Sequence, residues 1–213
     1  MTGLDKTMNK FPLYTFAKTF LPWFFCTLMP IRIRHGEYMP KEGGVILCSN
    51  HLSNTDPIRV AYTQKRQIFY MAKEELFRSR FVGGILSALG AFSIARGKVD
   101  KGAINLAQRH LKDGDVLGIF IEGTRSKDGN LLPPKSGAVM LARSCSVPIL
   151  PCCITATGGG MPKLFHPCVV AYGKPIRPEE LGIQGGKPSE YRAASKFVMN
   201  RIAELREETL KEF

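Results

Sequence analysis

A chain of 213 residues with 44% hydrophobic side chains can bury one sizeable core and reads as a single globular domain. Its 30 basic against 18 acidic side chains give a formal net charge of +12, which calls for an anionic partner such as an acidic lipid, a phosphorylated substrate or an acidic carrier protein. The basic residues are scattered, without a dense run or an aromatic-interleaved motif, so no nucleic acid is expected, and the 6 cysteines fit neither a paired metal spacing nor the need for a disulfide scaffold.

Taken in chain order, residues 11–29 come first, with Phe11, Phe16, Phe20, Trp23, Phe24 and Phe25 concentrated there. Pro12, Pro22 and Lys18 interrupt the stretch, so it does not read as a transmembrane helix of about 20 apolar residues. No signal-peptide cleavage pattern accompanies it. Leu13, Phe16, Phe20, Phe24 and Leu28 fall near one helical face, and Thr15, Lys18 and Thr19 on another. Residues 1–30 are therefore expected to form two short helices meeting at Pro22 and lying in a membrane interface, with Lys6, Lys10 and Lys18 near lipid phosphates. The competing expectation is that this face caps the protein's own core.

Residues 31–213 alternate strand and helix patterns. Strands are predicted over 31–35, 45–48, 67–71, 91–94, 116–121, 147–154 and 169–172, and helices from Pro57, over 76–89, 102–111 and 137–144. Ser136 is expected as an N-cap, and Gly83-Gly84 as a weak point or close-packing site. A last amphipathic helix, capped by Ser189, carries a buried stripe of Ala194, Val198, Ile202 and Leu205. The alternation predicts an α/β domain with a mostly buried mixed sheet flanked by helices.

Two strand exits carry polar, chemically capable residues. The apolar run 45–48 leads into Ser49-Asn50-His51, and Asp56-Pro57 follows as a helix start, with Asp56 expected as the N-cap. One imidazole and one carboxylate in H-x4-D spacing can act as a base and its orienting acid, although a lone strand-end histidine more often has no such role. Strand 116–121 runs into Glu122-Gly123-Thr124-Arg125-Ser126. Gly123 permits a tight turn, and Arg125 offers a planar donor fork suited to phosphate. Glu122 is placed to bond a substrate hydroxyl or to hold Arg125; a purely structural Glu–Arg pair is the alternative. Arg96 ends another strand, and Lys135 follows the loop 127–130. No P-loop spacing and no G-x-S-x-G elbow occurs, which disfavours nucleotide hydrolysis and serine hydrolysis. Cys152-Cys153 lies in an apolar run as buried thiols do, and His166 with Cys168 makes no convincing zinc set, so neither metal nor cofactor is expected.

Four blocks stand in order: Ser49-Asn50-His51-x4-Asp56-Pro57, then 90–97 ending at Arg96-Gly97, then 120–126, then Val147-Pro148-Ile149-Leu150-Pro151. Over residues 31–175 the chain resembles the glycerolipid acyltransferases, most closely the 1-acylglycerol-3-phosphate acyltransferases. The resemblance implies that His51 and Asp56 are the catalytic pair. It implies further that Arg96, Glu122, Gly123, Thr124, Arg125 and Lys135 bind the glycerol phosphate of a lysophospholipid acceptor. Ile121 stands where that family usually has Pro, and Ala95 where an acidic residue is common, which bears on acceptor preference more than on activity.

The implied reaction moves an acyl group from a thioester, acyl-CoA or acyl carrier protein, to an alcohol. An imidazole, with an ordinary pKa of about 6.5, suits deprotonation of the hydroxyl at neutral pH. The thiolate leaving group, with a pKa of roughly 8.5, needs little acid assistance, so no Ser or Cys nucleophile is required. Lipid substrates give the aromatic segment a purpose at the cytoplasmic face of an anionic membrane, as a peripheral or monotopic enzyme. Two alternatives remain from the residues: a related acyltransferase for another lysophospholipid, glycerol 3-phosphate or a lipid amine, and a non-catalytic membrane-surface protein.

Overall fold

The short β-branched runs form seven strands: β1 (Ile31–Arg34), β2 (Val45–Ser49), β3 (Ile68–Lys73), β4 (Ala91–Ile94), β5 (Val116–Phe120), β6 (Ile149–Ala156) and β7 (Cys168–Tyr172). They pair into one sheet in the order β1-β7-β6-β2-β5-β3-β4 in a computed structural model that describes residues 28–88, 90–94 and 101–213. β6, β2, β5, β3 and β4 run parallel; β7 turns back against β6, and β1 follows β7. The expected mixed α/β sheet is what forms.

Helices α1 (Asp56–Tyr62), α2 (Arg80–Ala88), α3 (Lys101–Lys112), α4 (Gly137–Cys145) and α5 (Pro188–Leu210) flank it. Alternation along the strands sorts the side chains by face. Ile46, Cys48, Leu117, Ile149 and Cys153 pack with Ala107 and Leu111 of α3, Val139 and Ala142 of α4, and Ala194, Val198 and Ile202 of α5. Val45, Leu47, Val116, Leu150 and Cys152 point the other way, towards Leu52 and Val60. The central strands β2 and β6 are buried on both faces throughout, as continuous apolar runs in parallel sheets are. Each fully buried Ile, Leu or Val contributes about 1.5–3 kcal/mol.

Several boundaries differ from the sequence expectation, each for a local reason. The pattern over 76–89 splits into a 3-10 turn, Glu74–Phe77, and α2. A Cβ on Gly83 would meet the Phe77 carbonyl oxygen at 3.0 Å, so that glycine is a close-packing site, while Gly84 faces open space. β6 begins two residues later than expected because Val147 donates its N–H to Ala142 O (3.1 Å) in closing α4, and Pro148 has no N–H to give. Ser136 is the N-cap of α4 by position, without a side-chain capping bond. Ser189 is not the cap of α5: Lys187 is, and its N–H donates to Glu190 Oε2 at 3.0 Å, with Pro188 opening the helix. The stripe of Ala194, Val198, Ile202 and Leu205 is buried as expected.

The aromatic segment lies almost wholly outside the described residues; of it, Met29 is buried and Leu28 half-buried. No helix among the described residues is long and apolar enough to cross a membrane.

Candidate active site

β2 and β5 are parallel neighbours with Ser49 in register with Phe120, so the two polar exits leave the sheet side by side at its carboxyl edge. The chain then knits them together. Ile121 N–H donates to Ser49 O (3.0 Å), and Ser126 N–H to His51 O (2.8 Å).

Asp56 is not the N-cap of α1. Thr55 holds that position, and Asp56 is the first residue of the helix, wholly buried, with its carboxylate turned back onto the preceding loop. Oδ2 accepts from Leu52 N–H (2.6 Å) and Ser53 N–H (2.7 Å), and lies 2.9 Å from His51 Nδ1. An oxygen already accepting two amide bonds takes a third as acceptor, so the His51 proton sits on Nδ1 and Nε2 keeps its lone pair. The His51 side chain retains 13% exposure against none for Asp56, which leaves the ring edge reachable while its partner is shielded. Behind it, the buried Arg59 donates to Thr55 Oγ1 (3.2 Å) and to Cys168 Sγ (3.4 Å).

Glu122 lies within the wall of the site. It is 1% exposed; Oε1 accepts His51 N–H (3.0 Å) and Oε2 accepts Leu132 N–H (3.1 Å). Burial pushes its carboxyl above the ordinary value, with the charge of Asp56 adding to the rise, and the two amide bonds and His51 oppose it. Amides thus occupy both oxygens, in place of the structural Glu–Arg pair considered from the sequence. Gly123 takes φ +68, the left-handed turn that its sequence position called for. Thr124 and Arg125 follow on the surface, exposed. Lys135 is brought to them: its N–H donates to Ile121 O (2.7 Å), and its Cγ lies 3.3 Å from where a Gly123 Cβ would be. Arg96 falls outside the described residues.

Sequence reasoning missed two contributors. Phe120 stacks on His51, and Asn50, wholly buried, exchanges two bonds with Ile154: Nδ2 to its O (3.0 Å) and Oδ1 from its N–H (2.8 Å). Asn50 thereby locks the β2 exit to β6. A polar residue immediately beside the histidine at a buried strand end was the available signal. The H-x4-D spacing also recurs at His110 and Asp115, Nδ1 to Oδ2 at 2.8 Å, but before β5 begins rather than after it ends. The juxtaposition of β2 and β5 exits, more than the spacing, defines the site.

The chain is similar to several known proteins. The chain is 28% identical to the 1-acyl-sn-glycerol-3-phosphate acyltransferase of Bacillus subtilis over 149 residues, covering 70% of this chain and 74% of that protein. It is 31% identical over 123 residues to the enzyme of that name from Borreliella burgdorferi, spanning 49% of its length. The crystal structure of the 1-acyl-sn-glycerophosphate (LPA) acyltransferase PlsC from Thermotoga maritima superposes with a TM-score of 0.72 at 27% identity, covering 92% of this chain and 79% of that one. A family model described as Acyltransferase matches residues 30–155, more than half of the sequence and all of the β2, β5 and α4 machinery described above; the chain belongs to that family.

Proposed function

We propose that the protein transfers a fatty acyl group from a thioester, acyl-CoA or acyl carrier protein, to the sn-2 hydroxyl of 1-acylglycerol 3-phosphate, giving phosphatidic acid. The observation that carries this reading is the buried Asp56 holding His51 by Nδ1, beside the exit that presents Arg125 and Lys135. His51 Nε2 takes the proton of the acceptor hydroxyl as its oxygen attacks the thioester carbonyl. The C–O bond forms, the C–S bond breaks, and the thiolate leaves or takes the proton back from the imidazolium. Asp56 stabilises the imidazolium and fixes the tautomer.

Arg125, Lys135 and Arg96 supply cations for the acceptor phosphate, and the Gly123-Thr124 turn lies against its glycerol. Glu122 holds the His51 backbone in place and so acts on the reaction through it. Residues 1–30 serve as the membrane-interface segment and residues 31–213 as the catalytic domain, working at the cytoplasmic face of an anionic bilayer. The names of the relatives support this choice of acceptor, and no cofactor is part of the proposal, since a thioester is already activated.

The test is thioester consumption by the purified protein with a panel of acceptors in detergent. Lysophosphatidic acid should be used best. Preference for a phosphate-free lysolipid, glycerol 3-phosphate or a lipid amine would move the activity to a related acyltransferase, and no turnover with any acceptor would leave a lipid-binding protein.

A further inference from the structure

Three of the large apolar side chains left exposed among the described residues share one loop, 157–167, between β6 and β7: Met161 at 36%, Leu164 at 55% and Phe165 at 64%. Folding normally removes such a cluster from water. Here the backbone holds it out. Phe165 sits at φ +62, a left-handed conformation that a bulky aromatic residue rarely adopts. The loop is tied at three points. Phe165 N–H donates to Leu28 O (2.8 Å), Thr157 Oγ1 to Pro167 O (2.9 Å), and Arg206 Nη2 to Gly159 O (2.9 Å). The Gly158-Gly159-Gly160 stretch is thereby pinned at Gly159.

The loop also stands at an informative place. β6 runs parallel to β2, and the Asn50 side chain grips Ile154, so Ala156 and the loop after it leave from the edge that carries His51. Ala156 is in register with Cys168, and Cys168 with Ile31, so the chain from residues 28–31 enters at that same edge. Exposed Lys163 and His166 flank Leu164 and Phe165.

We propose that loop 157–167 is a membrane contact, with Leu164 and Phe165 entering the boundary between headgroups and acyl chains and Lys163 lying against anionic headgroups. The inference rests on the reading of the acceptor as a bilayer lipid. Three apolar side chains are too small a patch for a stable protein interface, which buries upwards of roughly 1,000 Å². They suit shallow insertion, and a chain of net charge +12 suits an anionic surface. The contact turns the His51 edge towards the bilayer.

The experiment uses the full chain with Phe165→Trp in a Trp23→Phe background, mixed with vesicles of phosphatidylcholine and phosphatidylglycerol with and without brominated acyl chains. The introduced indole should shift to shorter wavelength on binding and be quenched by the brominated lipid. In parallel, Leu164→Asp/Phe165→Asp should lower the vesicle-bound fraction at least about 10-fold while leaving transfer to a micellar acceptor within about twofold. An unquenched indole on vesicle-bound protein overturns the proposal, because the loop then faces water or the chain's own residues 1–27. Failure of the wild-type chain to bind vesicles overturns it too. Loss of all transfer in micelles by the wild type would instead strike the acyltransfer reading, and the quenching result would still decide the loop.

Discussion

His51 lies flat on Phe120, ring centroids 3.9 Å apart and planes within 15°. Phe120 in turn stacks on Tyr70 at 5.8 Å, and the Tyr70 ring fills the space over Gly118, where a Cβ would come within 2.2 Å of it. The ring beneath the base both fixes its tilt and presents an aromatic face to the imidazolium that forms during transfer. Phe120→Leu should therefore lower kcat by about 3–30-fold, the equivalent of roughly 0.5–2 kcal/mol, with KM for the acceptor little changed. Phe120→Tyr should restore most of it. A KM effect alone would make Phe120 a substrate contact and not a support for the base.

His51→Ala should cut turnover by at least about 10²-fold while leaving the fold intact. Asp56→Asn should do the same, and in addition destabilise the protein by about 1–3 kcal/mol, because Leu52 N–H, Ser53 N–H and His51 Nδ1 all bond one oxygen of a wholly buried carboxylate. Melting curves and initial rates on the same preparations separate the two effects. A melting shift without a loss of rate would reduce Asp56 to a structural role.

Glu122→Gln tests the buried carboxylate. An amide has one oxygen where two are needed, so either His51 N–H or Leu132 N–H loses its acceptor, at about 1–3 kcal/mol. The pH dependence has a definite sign. Burial raises the folded-state carboxyl above its ordinary 4.5, so its contribution to stability is complete below that value and is lost as pH rises through the folded one. The variant lacks this titration. The stability gap between wild type and Glu122→Gln, measured by urea unfolding, should shrink as pH climbs from about 4.5; a widening gap would contradict the assignment.

Arg125 is exposed beside a left-handed glycine, free to form a bidentate contact with the acceptor phosphate. Arg125→Ala should remove on the order of 1.5–3 kcal/mol of transition-state binding, and Arg125→Lys should recover only part, since the fork is lost while the charge stays. With a monoacylglycerol, which lacks the phosphate, wild type should be slow and the substitution should matter much less. Equal losses on both acceptors would move the phosphate site to Lys135 and Arg96.

Most of the architecture was legible because its signals are local. The apolar runs at 45–48 and 116–121 were short and bounded, and the stripe from Ala194 to Leu205 has helical period, so most elements could be placed within a residue or two; the helix expected from 76 begins only at Arg80, after a separate 3-10 turn. The pairing of His51 with Asp56 was legible for the same reason, since it spans one turn. What sequence could not show depends on which strands become neighbours. Glu122 reaches the His51 amide only because β5 lies beside β2 in a fixed register, Asn50 finds Ile154 only because β6 lies on the other side, and Phe120 meets His51 across the same pairing. Asp56 was misread as a cap because an Asp before a Pro commonly is one; its burial and its turn towards Leu52 and Ser53 belong to tertiary packing. The apolar tip at Leu164 and Phe165 gave no periodic signal, and its exposure is a property of the loop's backbone.

The most direct test of the account is the identity of the product. Purified wild-type protein, given acyl-CoA or acyl carrier protein thioester and lysophosphatidic acid in mixed vesicles, should form phosphatidic acid bearing the donated chain at sn-2, one equivalent of free thiol per product, as read by mass spectrometry and thiol titration. His51→Ala should form neither. Thiol release without acylated lipid, or phosphatidic acid formed equally by His51→Ala, would contradict the mechanism proposed for this site.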